Sequence, residues 1–186
     1  MKHFFESVWE IFKTILICLA IILPIRYYIA QPFYVKGASM EPNFHEHDYL
    51  LIDEISYRFS PPKRGDVVVF RYPQNPQEYF IKRVIGLPGE TIEIKEGEVY
   101  VTPGGESSAP LREAYIPELT ETVSQISEPI TLKSDEYYVL GDNRNGSKDS
   151  RSFGPVKKDF IIGRSFFRGL PLSRVEFVKT PSYTNQ

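Results

Sequence analysis

The hydrophobic residues of this chain follow one pattern before residue 30 and another after it. Residues 14–25 (TILICLAIILPI) carry no charge. With their apolar neighbours they supply roughly the 20 residues that a helix needs to cross a bilayer. Such a run is typical of a cleaved secretory signal, a buried core helix or a permanent anchor. Residues 30–32 (Ala-Gln-Pro) make a poor cleavage site, and the run lacks the polar positions of a core helix. The pattern therefore predicts one transmembrane helix over about residues 8–29.

Beyond residue 30 the pattern changes to short runs of apolar and β-branched residues, separated by proline and glycine. Four runs are predicted to be strands, and an alternating run with a glycine turn is predicted to be a hairpin: Asp48–Ile55, Asp66–Tyr72, Glu78–Ile85, Tyr137–Leu140 and, for the hairpin, Thr91–Val101. The predicted fold class is mainly β, with antiparallel sheets and one N-terminal transmembrane helix. The predicted domains are a membrane anchor (1–30), a β domain (31–178) and a flexible tail (179–186).

One long stretch of the β region lacks a strand pattern. Residues 102–130, the acidic segment, contain five glutamates against the single Arg112. Such a composition is typical of a solvated excursion from a folded domain. The sequence assigns it no role.

Composition limits the classes of function. The chain has 186 residues, with 22 Lys+Arg against 24 Asp+Glu and a net charge of -2, so no nucleic-acid partner is expected. The single cysteine excludes an intrachain disulfide and a multi-cysteine zinc site. His45 and His47 lie two residues apart, but no further ligands follow at a recognisable spacing. We therefore expect no metal, no cofactor and a monomeric chain.

Charge does not orient the predicted helix in the membrane. Lys2 and Lys13 precede the uncharged run 14–25, and Arg26 and Lys36 follow it. The positive-inside count is therefore a tie.

The run YFIKRVI contains the most informative charged residue. On a strand, Lys82 shares one face with Phe80 and Val84, whereas Arg83 lies on the opposite face. A lysine among apolar residues is either an edge-strand device against aggregation or a desolvated amine that can act as a base. The strand pattern alone leaves both interpretations open.

Two serine-bearing turns add to this signal. Ser39 follows Gly37-Ala38 just beyond the predicted anchor, and Gly141–Arg151 (GDNRNGSKDSR), the polar loop, follows an apolar strand. Taken alone, each would be an ordinary solvated turn. Three features together are a stronger signal of a functional site than any one of them alone: a serine past an anchor, a lysine in an apolar strand and a polar serine-bearing loop.

These blocks, in this order, resemble bacterial type I signal peptidases, which are membrane-anchored serine proteases with a Ser–Lys dyad. The matching stretches are SMEP (39–42), RGDVVVF (64–70), YFIKRVIGLPGE (79–90), GDNRNGSKDSR (141–151) and FIIGRSFFR (160–168). The short stretch between the lysine and GDNR blocks resembles the compact, Gram-positive style of the family.

The resemblance implies catalytic roles for matching residues. Ser39 would be the nucleophile, and Lys82 would be the general base and later the general acid. Ser147 would hydrogen-bond and orient the lysine. Two ion pairs would shape the polar loop, namely Asp149 with Arg151 and Asp142 with Arg83.

The resemblance also implies how substrate binds. Phe33 and Val35 would lie on the strand that pairs with the substrate backbone, and Met40, Phe80 and Ile81 would line shallow apolar pockets. Some relatives carry a serine two positions before the nucleophile, where this chain has Gly37. The oxyanion would then be bound by the backbone N–H of Ser39 and a second donor, such as a Gly37 backbone group or water.

The implied activity is removal of signal peptides from secreted preproteins, with cleavage after small residues. The enzyme would be a single-pass protein of the plasma membrane, with its N-terminus in the cytoplasm and its catalytic domain outside. The alternatives are an inactive membrane-anchored β domain that binds partners, a specialised peptidase for pilin or conjugation substrates, and a self-cleaving repressor. The predicted anchor and the lack of a DNA-binding segment oppose the repressor.

Overall fold

The computed structural model describes residues 2–24, 30–103, 109–118, 120–124, 128–181 and 183. Three α-helices lie in these parts, α1 (Lys2–Pro24), α2 (Ser56–Phe59) and α3 (Ser150–Phe153), with two short 3-10 helices at Lys158–Phe160 and Leu172–Arg174. In α1 the side chains from Glu6 to Leu23 are described, and all of them are exposed.

The single transmembrane helix predicted over about residues 8–29 is not confirmed. The helix ends at Pro24, and residues 25–29 lie outside the described residues. In the part of the chain that the structure describes, no helix is both long and apolar enough to cross a membrane.

Two antiparallel sheets form the rest of the fold, so the mainly β prediction is confirmed. The strands are β1 (Ala30–Tyr34), β2 (Tyr49–Asp53), β3 (Val67–Tyr72), β4 (Asn75–Gly86), β5 (Glu90–Lys95), β6 (Glu98–Pro103), β7 (Ile130–Thr131), β8 (Glu136–Leu140), β9 (Val156–Lys157), β10 (Ile161–Leu170) and β11 (Glu176–Phe177). The large sheet has the order β1-β2-β10-β3-β4-β8-β9, with β11 paired to β10. The small sheet has the order β6-β5-β7.

Strand β4 lies inside the large sheet, between two buried strands. Val68 on β3 pairs with Lys82, and Leu140 on β8 pairs with Arg83. The β3 sequence VVVF and the β8 sequence YYVL are apolar on both faces, as expected for strands covered on both sides. The two cations of β4, Lys82 and Arg83, are therefore buried among apolar strands.

The apolar core consists of three clusters. One joins the small sheet to β4 and β8 through Ile85, Ile92 and Tyr138. The second lies under β1 and β2 around Leu50 and Ile52. The third surrounds Phe70 on β3. The second and third clusters flank the segment of β4 that carries Lys82.

The solvated excursion expected over residues 102–130 is wrong for its central part. Leu111 packs in the first core cluster, and the side chains of Glu113 and Thr122 are buried. These polar groups are buried because they bind an arginine of the polar loop, which a pattern of local composition does not reveal.

Part of the tail predicted as flexible contacts the domain. Thr180 Oγ1 donates to Asp66 Oδ1 at 2.9 Å, and the ring of Tyr183 packs against the first core cluster. Residues 182 and 184–186 lie outside the described residues.

Candidate active site

The turn after β1 brings a hydroxyl to the middle of β4. Gly37 adopts φ of 81°, a left-handed conformation that glycine takes at little cost, and the chain turns there towards Ser39. Lys82 Nζ lies 2.7 Å from Ser39 Oγ and donates a second hydrogen bond of 2.7 Å to the carbonyl of Ile81. Two residues 43 positions apart therefore form a serine–amine pair.

The amine of Lys82 is buried, with 4% of the residue exposed. Its Nζ lies 5.3 Å from the centre of the Phe80 ring. Burial lowers the pKa of Lys82 to about 8, because it disfavours the charged form, although the charges of Asp149 and Asp142 act in the opposite direction. At pH 7 about a tenth of the amine is therefore uncharged.

The next residue of β4 lies in a very different environment. Arg83 donates to both carboxylate oxygens of Asp142, with Nε–Oδ1 at 2.8 Å and Nη2–Oδ2 at 2.6 Å. It also donates to the carbonyl of Gly65, and its guanidinium lies 4.0 Å from the centre of the Tyr115 ring. Burial alone would lower the pKa of Arg83, but the hydrogen bonds and charge of Asp142 raise it. The expected Asp142–Arg83 ion pair is thus present.

The polar loop is closed by a second buried ion pair. Arg151 donates to Asp149 through Nε and Nη2, both at 2.8 Å, and the backbone N–H of Gly141 donates to the same carboxylate. Gly141 also lies close to the turn that carries the nucleophile. A Cβ at this position would lie 2.4 Å from the carbonyl oxygen of Ser39, so only glycine fits there.

Two asparagines, to which the sequence analysis assigned no role, connect the polar loop to the nucleophile turn. The backbone N–H of Asn143 donates to the carbonyl of Ser39 at 3.1 Å, and its side chain donates to the carbonyl of Ala38 at 3.1 Å. Asn43 Nδ2 donates to Asp142 Oδ2 at 2.9 Å. Asn143 belongs to the GDNR block, but contacts made across about 100 residues leave no local sequence signal.

The hydrogen bond predicted between Ser147 and Lys82 is not formed. Ser147 Oγ is buried and has no hydrogen-bond partner in the structure. It packs instead against Gly141, where a Cβ would lie 2.1 Å from this oxygen. The polar contacts of Lys82 are made with Ser39 and Ile81.

A cleft of about 640 Å³ opens at the Ser39–Lys82 pair. Its walls include four of the five predicted substrate residues: Phe33, Val35, Phe80 and Ile81. The prediction for Met40 is wrong, because this side chain does not line the cleft and packs in the second core cluster. The structure adds further lining residues that had not been predicted: Tyr34, Lys36, Leu50, Val69, Glu78, Tyr79 and Lys148.

The amide proposed as a second oxyanion donor already has a partner. The backbone N–H of Gly37 donates to Glu46 Oε1 at 3.2 Å. Glu46 was not predicted to contribute to the site, because it lies nine residues from Gly37 with no motif to connect them. As the structure stands, this amide is not free to bind a substrate oxygen.

The arrangement of Ser39 and Lys82 is suited to nucleophilic chemistry. Among the residues that the structure describes, no three histidine, cysteine or acidic side chains are grouped to hold a metal ion. A neutral amine at hydrogen-bond distance from a hydroxyl can accept its proton as the oxygen attacks a carbonyl.

Comparisons with known proteins identify relatives of this chain. Residues 8–170 match the family described as "Signal peptidase, peptidase S26". Signal peptidase I of Leptolyngbya laminosa is 40% identical over 179 residues, covering 92% of this chain and 84% of that protein. Signal peptidase I of Bacillus amyloliquefaciens is 32% identical over 171 residues, covering 90% of each. The crystal structure of a signal peptidase I from Enterococcus faecalis V583 is similar with a TM-score of 0.46 and 31% identity, covering 56% of this chain and 97% of that one.

The chain is therefore a hydrolase of the peptidase class. It belongs to the signal peptidase family, peptidase S26.

Proposed function

We propose that this protein is a membrane-bound serine endopeptidase that removes N-terminal signal peptides from secreted preproteins. The observation that carries the proposal is the 2.7 Å separation of Ser39 Oγ and Lys82 Nζ at the wall of an apolar cleft. The names of its relatives, signal peptidase I, support the substrate class.

In the proposed first step, the uncharged amine of Lys82 accepts the proton of Ser39 Oγ as that oxygen attacks the scissile carbonyl. The amine keeps an N–H bond to the carbonyl of Ile81, which directs its lone pair towards the serine. The protonated amine then donates its proton to the leaving nitrogen, and an acyl-enzyme remains on Ser39. The low pKa of Lys82 supports this role, because an amine with an ordinary pKa would be almost fully charged at neutral pH.

In the second step, the same amine activates a water that hydrolyses the ester. The negative oxygen formed in both steps would accept a hydrogen bond from the backbone N–H of Ser39. One such donor contributes on the order of 10²–10³ in rate. A Gly37 N–H donor would first have to leave Glu46, so a water is the better candidate for the second donor.

Substrate would bind in extended form along β1, which is one of the two edge strands of the large sheet. The cleft wall next to Ser39 is apolar, with Val35, Ile81 and Leu50 contributing. We propose that this wall accepts alanine-sized side chains before the cut and rejects large ones by steric clash.

We also propose that α1 attaches the enzyme to the membrane. Its exposed side chains include Trp9, Phe12, Ile17 and Leu19, and so large an exposed apolar surface marks a membrane or protein contact. The orientation implied by the family, with the catalytic domain outside the cytoplasm, belongs to this proposal.

The test is cleavage of a preprotein by the full-length protein in detergent or vesicles, followed by N-terminal analysis of the product. Wild type should release one fragment cut after a small residue, and Ser39→Ala should release none. Ser134→Ala, at an exposed serine, serves as a matched control and should cleave normally.

Equal cleavage by wild type and Ser39→Ala would exclude Ser39 as the nucleophile. No cleavage of any preprotein by a folded wild type would favour the inactive binding domain. Cleavage restricted to pilin-like substrates would favour the specialised peptidase.

A further inference from the structure

The acidic segment contacts the polar loop, and one of its glutamates is bound to that loop by two hydrogen bonds. Arg144 donates to Glu113 through Nη1–Oε2 at 2.6 Å and Nη2–Oε1 at 2.5 Å. The Arg144 side chain is 0% exposed and that of Glu113 is 8% exposed. Thr122, from the same segment, accepts a third hydrogen bond of 2.6 Å from Nη1. The guanidinium is thus enclosed by partners from the acidic segment.

Other contacts extend this attachment along the segment. The carbonyl of Tyr115 accepts from Asn43 Nδ2 at 2.7 Å, and the Tyr115 hydroxyl donates to Glu113. The carbonyl of Val123 accepts from Arg151 at 3.3 Å. The acidic segment therefore contacts both the nucleophile turn, at Asn43, and the polar loop.

Arg144 in turn determines the shape of the polar loop. Its Nε donates to the carbonyl of Gly141 at 3.0 Å, and its own carbonyl accepts from Arg151 Nη2 at 2.7 Å. The residue immediately before it, Asn143, makes the two hydrogen bonds to the Ser39 and Ala38 carbonyls. A short path therefore runs from Glu113 through Arg144 and Asn143 to the nucleophile.

We propose that Glu113 is a positioning residue for the reaction, and that the acidic segment holds the polar loop, and through it Ser39, in place by neutralising the buried Arg144. This inference rests on the proposed function. Removing one partner of a buried ion pair leaves an uncompensated charge, which is strongly unfavourable. Without Glu113 the guanidinium would move towards water and carry Asn143 with it. Displacements of about 1 Å near a reacting group can cost about 10²-fold in rate.

The experiment compares Glu113→Gln with wild type in the full-length protein. Glutamine keeps the size of the side chain but removes its charge. We expect kcat for preprotein cleavage to fall about 10- to 100-fold with KM changed less than about twofold, because the cleft walls stay in place while the nucleophile shifts. Glu118→Gln, an exposed position on the same segment, is the matched control and should behave as wild type. Glu113→Asp retains the charge and should recover part of the lost kcat.

A second measurement does not depend on activity. Hydrogen exchange followed by mass spectrometry should show faster exchange of the peptide spanning residues 141–146 in Glu113→Gln, since the Asn143 amide would lose its acceptor on Ser39. If wild type cleaves no preprotein, the proposed function fails while this measurement still tests the positioning role.

Wild-type kcat together with wild-type exchange in Glu113→Gln would overturn the proposal, as would a loss confined to KM. If Glu113→Gln does not fold, Thr122→Val tests the proposal instead, because it removes a neutral hydrogen-bond partner of the same guanidinium. That variant should lower kcat about threefold or more and accelerate exchange in the same peptide. Unchanged values for both would likewise overturn the proposal.

Discussion

Lys82 and Arg83 are neighbours on one strand, are buried to nearly the same extent, and are cations in water. Their surroundings nevertheless shift their pKa values in opposite directions. Lys82 is 4% exposed and Arg83 is 3% exposed. Burial lowers the pKa of Lys82 to about 8, whereas the hydrogen bonds that Arg83 donates to the carboxylate of Asp142 raise the pKa of Arg83 despite burial.

The pKa values of the two residues are shifted differently because the groups that contact each face of β4 differ. Asp142 accepts from two nitrogens of Arg83, so the charge is neutralised at contact distance. Lys82 contacts a hydroxyl and a carbonyl, and within the described ranges no carboxylate forms an ion pair with it. Burial without a bound counter-ion disfavours charge, and burial with one preserves it. One strand thereby carries a proposed catalytic base on one face and a structural cation on the other.

The largest expected effect is on activity at Lys82. Lys82→Met should reduce cleavage about 10⁴-fold or more, because the base is removed while the apolar stem is kept. Lys82→Arg should be equally inactive, since arginine does not release its proton. Rates of preprotein cleavage test both variants, and Lys157→Met, an exposed lysine, is the control. Appreciable turnover by Lys82→Met would rule out the amine base.

The second effect is on stability at Arg83. Arg83→Met should lower the free energy of unfolding by about 3–5 kcal/mol, because Asp142 would be left buried without its partner. Denaturant titration measures this loss. The double variant Arg83→Met, Asp142→Leu should recover much of it, since neither charge remains. A loss below about 1 kcal/mol in the single variant would mean that the pair contributes little.

The third effect is on stability at Lys82, where removing the cation should raise the free energy of unfolding rather than lower it. In the unfolded chain the pKa of Lys82 is near 10.5, and in the folded chain it is about 8. The unfolded state therefore binds the proton more tightly, and wild-type stability should rise as pH increases from about 8 to 10.5. Below pH 8 the amine is charged in both states, and the full cost of burying that charge, about 3 kcal/mol, lowers the free energy of unfolding.

Lys82→Met removes this cost. It should be more stable than wild type by up to about 3 kcal/mol at pH 7, with the advantage shrinking towards pH 10.5. Denaturant titrations at several pH values measure the difference. A difference that does not vary with pH would contradict a lowered pKa at this residue.

The smallest effect is the pH dependence of the rate. The base must be uncharged to accept a proton, so kcat should fall as pH falls through about 8 and reach a plateau above it. Between pH 7 and pH 8 the rise should be about fivefold, which follows from the fraction of neutral amine. Single-turnover cleavage isolates this step, and a rate constant that is flat over this interval would contradict the assignment.

Much of the fold was predictable from local pattern. The predicted run Asp66–Tyr72 contains β3, Glu78–Ile85 lies within β4, and the hairpin corresponds to β5 and β6. These succeeded because alternation and apolar runs reflect burial on each face of a strand. The short strands β7, β9 and β11 were not predicted, because two residues give no periodicity.

The candidate site was predictable only where residue type carried the information. Phe80 and Lys82 share a face of β4 because side chains alternate along a strand. Met40 was assigned to the cleft because it follows Ser39, but the turn directs it into the core. Ser147 was assigned to Lys82 through a motif, and its oxygen instead packs against Gly141 without a partner.

The sequence by itself determined the class of protein, most of the longer strands and the residue types available for chemistry, because these depend on local pattern and on blocks of a few residues. Only the tertiary structure decided which charges are neutralised. The separation of Ser39 from Lys82, the pairing of Asp142 with Arg83 and the enclosure of Arg144 by Glu113 join residues 31 to 59 positions apart. Whether a buried cation keeps its proton depends on such contacts, since the energy of a charge is determined by the atoms around it rather than by its neighbours in the chain.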